Sequence, residues 1–290
     1  MDKVIFYNAN GEKIEFSANS KYALININDL GGGSVSNKTI SSPFQDGSTP
    51  IGDSYFESKL MEIEFATVST DLPEDLRRLD SIVNPKSGNG TLELYQNGRA
   101  RKLSPVRVRR MPTRRNQANI MGDFLQSTII FEVYDPYYQD AQPIEAEVTT
   151  GGNSFNFPLN ITANYEFDYV NTAGVIVNNE GDIDTPVTVI FDGPKTAPLS
   201  IENLTTGESI VLSLDLLMNE RLIVTTGIQD TNVIKEDLTT GETEVAFQYI
   251  DIAETTFFTL AKGENRIQIV TDEGIVQDAT VKFRNKYVGV

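Results

Sequence analysis

Glu62 and Glu64 alternate with Met61, Ile63 and Phe65, so on a strand the two carboxylates share one face. They would stand about 7 Å apart, a spacing at which a general acid and a nucleophile can flank a glycosidic bond. A second oxygen-rich run, Asn178-Asn179-Glu180-Gly181-Asp182-Ile183-Asp184, has the density of a calcium loop. It has no acid at its first position and no Glu at its twelfth, so it lacks the EF-hand register and reads as an acidic turn. Exposed strand charge is the ordinary reading of the glutamate pair. The chain contains no His and no Cys. Ser-His-Asp and Cys-His hydrolases are thereby excluded, as are disulfides and the usual transition-metal ligands, and any catalysis would run on carboxylates, Lys or Tyr. Asn37, Asn160 and Asn203 each open an Asn-x-Thr sequon, which a Thr-rich β chain produces by chance.

Charge separates the chain into halves. Residues 1–139 carry 16 Lys and Arg against 17 Asp and Glu, a net of -1, whereas residues 140–290 carry 8 against 24, a net of -16. Inside the first half, Arg77 to Arg115 holds 11 basic residues against Asp80 and Glu93, a net of +9. Two domains with different surfaces follow. The 290 residues, 39% of them hydrophobic, suffice for real cores. No apolar run approaches the roughly 20 residues a bilayer crossing needs. The opening MDKVIFYNANGEKIEF reads as a hairpin instead of a charged-then-apolar leader, so a chain made and kept in the cytoplasm is expected, with no membrane insertion.

The elements that position these groups are mostly strands. Val4 to Tyr7 and Lys13 to Phe16 flank a turn, Tyr22 to Ile27 continues the sheet, and Leu92, Leu94, Val106, Val108 and Leu125 to Tyr134 supply further strands. One helix interrupts them. Asp71, Pro73 and Glu74 make a start signal, with Asp71 able to accept from the first-turn amides. Leu72, Leu76, Leu79, Ile82 and Val83 recur at helical spacing, and Asn84-Pro85 ends the run. A hairpin then turns on Asn97-Gly98. The Gly/Ser-rich segment from Leu30 to Ser54 is too long for an ordinary connection, and such loops are functional or disordered. Its large apolar side chains are Phe44, Ile40 and Ile51. From Ile144 onward the pattern is β throughout, with short strands expected at Phe155 to Leu159, Pro186 to Phe191, Leu199 to Asn203, Ser209 to Leu214, Arg221 to Thr225, Phe257 to Leu260, Arg266 to Val270 and Ala279 to Phe283. Leu204-Thr-Thr-Gly-Glu-Ser and Leu238-Thr-Thr-Gly-Glu-Thr read as two similar hairpin turns and not as a long repeat.

Four blocks in order carry a likeness: Pro43-Phe44-Gln45-Asp46-Gly47; Ile82-Val83-Asn84-Pro85-Lys86 with Gly90-Thr91-Leu92; Phe131 with Asp135-Pro136-Tyr137; and Lys262-Gly263-Glu264-Asn265 through Arg284-Asn285-Lys286-Tyr287-Val288-Gly289-Val290. Over essentially its whole length the chain resembles the distal tail proteins of siphophages and prophages of Gram-positive hosts. The resemblance implies a mainly β protein. It implies an N-terminal β-sandwich with one helix and a long loop over residues 1–140, which forms a homo-oligomeric, hexameric ring. It implies a galectin-like or carbohydrate-binding-module-like jelly-roll β-sandwich over residues 141–290. Such a ring joins the tail tube protein to the tail tip or baseplate proteins at the distal end of the virion tail, lets DNA through, and is assembled in the host cytoplasm without cofactor or metal.

The candidate assembly interface comprises Phe44, Gln45 and Asp46 in the loop, Arg77 and Arg78 on the helix, Asn84 and Pro85 at its end, and Arg107, Arg109 and Arg110 in the basic window. The basic window is dense enough to meet phosphates, but no nucleic-acid-binding signature accompanies it and Tyr95 is its lone aromatic, so specific nucleic-acid binding is not expected. Pairing with an acidic surface on a neighbouring subunit or tail protein is preferred, beside a solvated strand face. A galectin-type galactoside site is not carried over, because the chain has neither Trp nor His. A different sugar site on Tyr165, Tyr169 or Tyr249 is weighed against core packing, which is preferred. The reading is a structural virion protein without a catalytic centre. A carbohydrate-binding or host-adhesion module is the alternative, and a carboxylate-only glycoside hydrolase a third class.

Overall fold

The computed structural model describes residues 2–31, 33–44, 46–114, 124–149, 174–227, 230–270 and 278–289. The expected strand Phe155 to Leu159, Tyr165, Tyr169, Gln45 and Arg115 lie outside the described residues. The chain divides into two compact units, Met1–Ala141 with Tyr287–Val290, and Gln142–Lys286, so the last residues return to the first unit.

The first unit is built from β1 (Lys3–Tyr7), β2 (Lys13–Ser17), β3 (Tyr22–Asn28), the short strands β4 (Val35–Ser36), β5 (Thr39–Ile40), β6 (Thr49–Pro50) and β7 (Tyr55–Phe56), then β8 (Lys59–Val68), α1 (Leu72–Ile82), β9 (Gly90–Gln96), β10 (Arg99–Arg114), β11 (Phe124–Val133) and β12 (Tyr138–Asp140). Main-chain pairing runs β11-β8-β3-β2-β1-β9-β10, and β10 pairs back onto β11, so the two faces of the sandwich are hydrogen-bonded all the way round. Register puts apolar residues opposite one another inside: Val4 faces Phe16 and Leu94, and Phe131 faces both Met61 and Val108. Phe6 and Phe131 rings meet at 4.9 Å and Phe16 and Phe65 at 5.0 Å, a spacing that adds to area burial. Closing the ring needs a bent strand. β10 supplies it with register shifts around Arg110 and between Leu103 and Val106.

Helix α1 starts and stops where the sequence signals it, but its start is secured differently. The Asp71 side chain makes no capping hydrogen bond. Instead the Ser69 hydroxyl accepts from the Asp71 amide and donates to Asp75, which also receives Lys21 at 2.8 Å. Leu79, Ile82 and Val83 enter the core, and the Tyr22 hydroxyl donates to the Asp75 carbonyl at 2.9 Å.

The second unit contains β13 (Ile144–Thr149), β14 (Val175–Asn179), β15 (Thr185–Asp192), β16 (Leu199–Asn203), β17 (Glu208–Leu212), β18 (Glu220–Gly227), β19 (Asp230–Asp237), β20 (Thr243–Val245), β21 (Thr259–Leu260), β22 (Gly263–Val270) and β23 (Asp278–Phe283), after which β24 (Lys286–Tyr287) joins the first unit's sheet beside β12. One sheet runs β13-β23-β15-β18-β19-β20 with β21 on β15, and the other β14-β22-β16-β17. Strict in-out alternation on β15, buried at Thr185, Val187, Val189 and Phe191, is the two-sheet signature. The repeated Leu-Thr-Thr-Gly-Glu pentapeptides do form matching hairpin turns, with Gly207 and Gly241 both at φ 73°. Asn203 and Asp237 play the same part in each, accepting from the amides of Thr205 and Thr239.

Candidate functional site

The segment after β3 is an arm. β4 pairs antiparallel with β7 and β5 with β6, and Ile51 N donates to the Lys38 carbonyl at 2.7 Å between the two ladders. Every described side chain from Ser34 to Tyr55 is exposed, so this two-stranded ribbon buries no core of its own. An isolated ribbon of that kind is marginal in water. Its tip carries Phe44, fully exposed and at φ 66°, a backbone conformation that bulky residues adopt at a cost, with Asp46 and the positive-φ Gly47 beside it.

The root of the arm is tied down as firmly as its tip is bare. Lys59, the first residue of β8, is 2% exposed. Its Nζ lies 3.7 Å from the Tyr138 ring centroid and donates to the Gly31 carbonyl at 3.4 Å. The fully buried Tyr138 donates its hydroxyl to the Leu30 carbonyl at 2.9 Å. Phe56 packs edge-on against Tyr137 at 5.6 Å, and the Asp135 carboxylate accepts from the Tyr137 amide at 3.3 Å. Burial lowers the Lys59 amino group to about 8, against the pull of Asp29 and Asp135, and raises the Tyr138 phenol. The Asp135-Pro136-Tyr137 block therefore clamps the arm to the barrel.

The basic candidates lie elsewhere. Arg107 donates to Asn89 Oδ1 at 2.6 Å, and Arg109 pairs with Glu132 at 3.5 Å across β10 and β11. Arg114 pairs with Asp80 of α1, and Arg101 with Asp140 while lying 3.9 Å over the Tyr287 ring. Arg77 is bound to Glu74 at 2.7 Å, an exposed contact that lowers the Glu74 carboxyl. Arg110 and Arg78 are exposed and make no ion pair among the described residues. The structure thus brings α1, the turn Pro85–Ser87 and β10 together, with Asn84 accepting from the Lys86 amide at 3.0 Å. Among the described residues, no hydrogen bond or ion pair joins them to Ser34–Tyr55 of the arm.

The would-be chemical sites resolve into structure. Glu62 and Glu64 project from the outer face of β8, and Glu62 accepts from the Asn28 side-chain Nδ2 at 3.4 Å. In the oxygen-rich run, Asn179 is buried and donates to the Ile183 and Leu260 carbonyls, while Asp184 accepts from the Lys262 amide. Among the described residues no cluster of three or more acids could hold a metal. Tyr249 packs against the second core. A depression of about 310 Å³ beside α1 is lined by Glu12, Lys13, Glu74, Arg77, Arg78, Ser81 and Ile82, a mixed-charge surface with no convergent catalytic set. No described helix is long and apolar enough to cross a membrane.

The family described as siphovirus-type tail component, C-terminal domain, matches residues 180–287. Across 98% of both chains the fold is similar to that of the Dit protein of phage SPP1, a hub adsorption apparatus protein of phages infecting Gram-positive hosts, with a TM-score of 0.65 at 12% identity. A chain of the phage p2 baseplate, solved in its activated conformation with calcium, matches over 99% of both chains with a TM-score of 0.65 at 15% identity. The same baseplate with strontium matches at 14% identity. No curated protein matches in sequence. The likeness read from the four ordered blocks is thus met by a family match over the C-terminal residues and by a shared mainly β fold over nearly the whole chain.

Proposed function

We propose that this chain is a siphophage distal tail protein, a structural adaptor that joins the tail tube to the tail tip or baseplate proteins at the distal end of the virion. Residues 1–140 form a homo-oligomeric, hexameric ring, assembled in the host cytoplasm, through the arm tip at Phe44, Gln45 and Asp46 and through the face carrying Arg77, Arg78, Asn84, Pro85, Arg107, Arg109 and Arg110. Residues 141–290 serve as a docking or spacer module, and no residue acts as a catalytic group. The observation that carries the reading is the arm: a subunit holding a fully exposed Phe44 on a ribbon without a core of its own is built to be completed by another surface. The similar fold of the SPP1 Dit protein supports the same role. Light scattering together with negative-stain microscopy of the purified chain tests it. Discrete rings are expected, and a protein that stays monomeric at tens of micromolar, alone and with its tail-tube partner, overturns it.

A further inference from the structure

The arm leaves the barrel at two places, after Asn28 and before Lys59, and one buried amino group touches the first of them from the second. Lys59 Nζ reaches the Gly31 carbonyl at 3.4 Å while resting 3.7 Å from the Tyr138 ring centroid, and the Tyr138 hydroxyl holds the adjacent Leu30 carbonyl at 2.9 Å. Asp29, immediately before these carbonyls, sits at φ 66°, so the chain makes a sharp bend where the arm departs. A buried lysine is an expensive anchor. Its folded-state value of about 8 lies below the ordinary 10.5, so the charge costs stability below pH 8, and that cost fades as the pH rises toward 10.5. Methionine or leucine would fill the same space without that cost. What the amino group supplies and a methyl group cannot is attraction to an aromatic face, to a carbonyl and to two carboxylates.

We propose that Lys59 and Tyr138 form a latch that fixes the direction of the arm in the free protein, and that the arm swings about Asp29 when the latch opens. The groups facing Lys59 are the Asp29 carboxyl just after β3, the Asp135 carboxyl in the turn before β12, and the neutral ring of Tyr138 on β12. All three favour the ammonium form, but burial outweighs them, so the closed latch binds the proton more weakly than an opened, solvated Lys59 would and tightens as the amino group is neutralised. The inference concerns the free subunit and stands whether or not the arm is an assembly element.

The chain has no Trp, so Phe44→Trp places a single reporter at the arm tip, and the amplitude of its fast anisotropy decay reads swing of the arm. In an otherwise unchanged protein that amplitude is expected to be larger at pH 7 and to fall about twofold between pH 7 and 9.5, because the buried amino group sheds its charge there while still donating to the Gly31 carbonyl. With Lys59→Met added it is expected to be high at both pH 7 and pH 9.5, with unchanged far-ultraviolet circular dichroism. Tyr138→Phe, which keeps the ring and removes only the bond to Leu30, is expected to give an intermediate amplitude. Equal amplitudes in all three proteins at both pH values overturn the latch. Unfolding of Lys59→Met also overturns it, because Lys59 would then be a pillar of the barrel.

Discussion

Described connections of the two units are secured in opposite ways. In the second unit they are tied inward by buried amides. Asn265 donates to the Ala261 and Gly263 carbonyls at 2.7 and 3.0 Å, and accepts from the Ala261 amide and from Asn203. Asn179 holds Ile183 and Leu260, and Asn285 accepts from the Glu180 amide at 3.1 Å. In the first unit the described residues of the Leu30–Ser58 connection are hydrogen-bonded to the barrel at the root, and from Ser34 the connection runs exposed to Phe44. A loop whose polar groups are satisfied internally is finished as a piece of structure. One that presents an unpaired aromatic at its tip is unfinished until something covers it.

The largest effect expected from this contrast lies in the second unit. Asn265→Ala strips partners from two partly buried carbonyls, one amide and the buried Asn203 together, at a cost of about 3 kcal/mol. Urea titration of the full chain is expected to show an earlier transition, while the oligomeric mass at 20 °C stays that of the parent. Loss of the oligomer with the fold intact would show that these loops also serve assembly, and the contrast would fail.

Phe44→Ala is the mirror experiment. A side chain with its whole surface in water contributes nothing to the fold, so the melting temperature of the dissociated protein is expected to be unchanged. Burying that ring on a partner contributes on the order of 2 kcal/mol, so the midpoint concentration for assembly is expected to rise roughly 30-fold. Sedimentation across a concentration series reads the shift. Normal assembly would make the exposed tip idle.

Much of this contrast was legible in the residues, and the illegible part has physical causes. The hairpin on Asn97-Gly98, the helix ended by Asn84-Pro85 and the alternation of β8 and β15 are local patterns, and each forms where the spacing places it. β19 leaves no alternation in the residues, because Asp230 to Asp237 is half-buried along most of its length and carries charges at both ends. The arm's ladders escaped because each is two residues long and wholly or largely exposed, which leaves no periodicity. Lys59 reads as an ordinary polar strand start, since its burial is decided by Tyr138, 79 positions later. The asparagines read as turn residues for the same reason. Of the ordered blocks, the helix-end, junction and C-terminal ones prove to be fold devices: a Cβ on Gly90 would lie 2.4 Å from the Tyr7 carbonyl oxygen, and Asn265 and Asn285 are buried organisers.

Smaller effects sharpen the comparison within the basic window. Arg110 is exposed and makes no ion pair among the described residues, whereas Arg109 and Arg114 are already paired with Glu132 and Asp80. Arg110→Ala is therefore expected to leave stability within about 0.5 kcal/mol and to flatten the salt dependence of assembly. Arg114→Ala is expected to do the reverse, lowering first-unit stability by less than about 1 kcal/mol with the salt dependence kept. Equal behaviour of the two variants in both measurements would remove the distinction between committed and available arginines.

The smallest effect concerns the place where the first unit uses the inward-tying device itself. Asp75, 6% exposed, is bound by Lys21 and Ser69, and these hydrogen bonds hold its carboxyl below the ordinary aspartate range. A group whose folded-state value is depressed adds stability that is complete above its unfolded value and is lost as the pH falls through the folded one. Stability of the first unit is therefore expected to decline below about pH 4 with a contribution of about 1 kcal/mol from this residue. Asp75→Asn keeps the shape and removes the titration, so urea midpoints at pH 7 and pH 3 are expected to differ less in the variant than in the parent. Phe44→Ala, in the same pair of measurements, is expected to track the parent, because nothing that titrates in the fold depends on the arm tip. If Asp75→Asn were to leave the acid slope untouched while Phe44→Ala changed it, the arm would be part of the first unit's own structure. The division between tied and untied loops would then have been drawn in the wrong place.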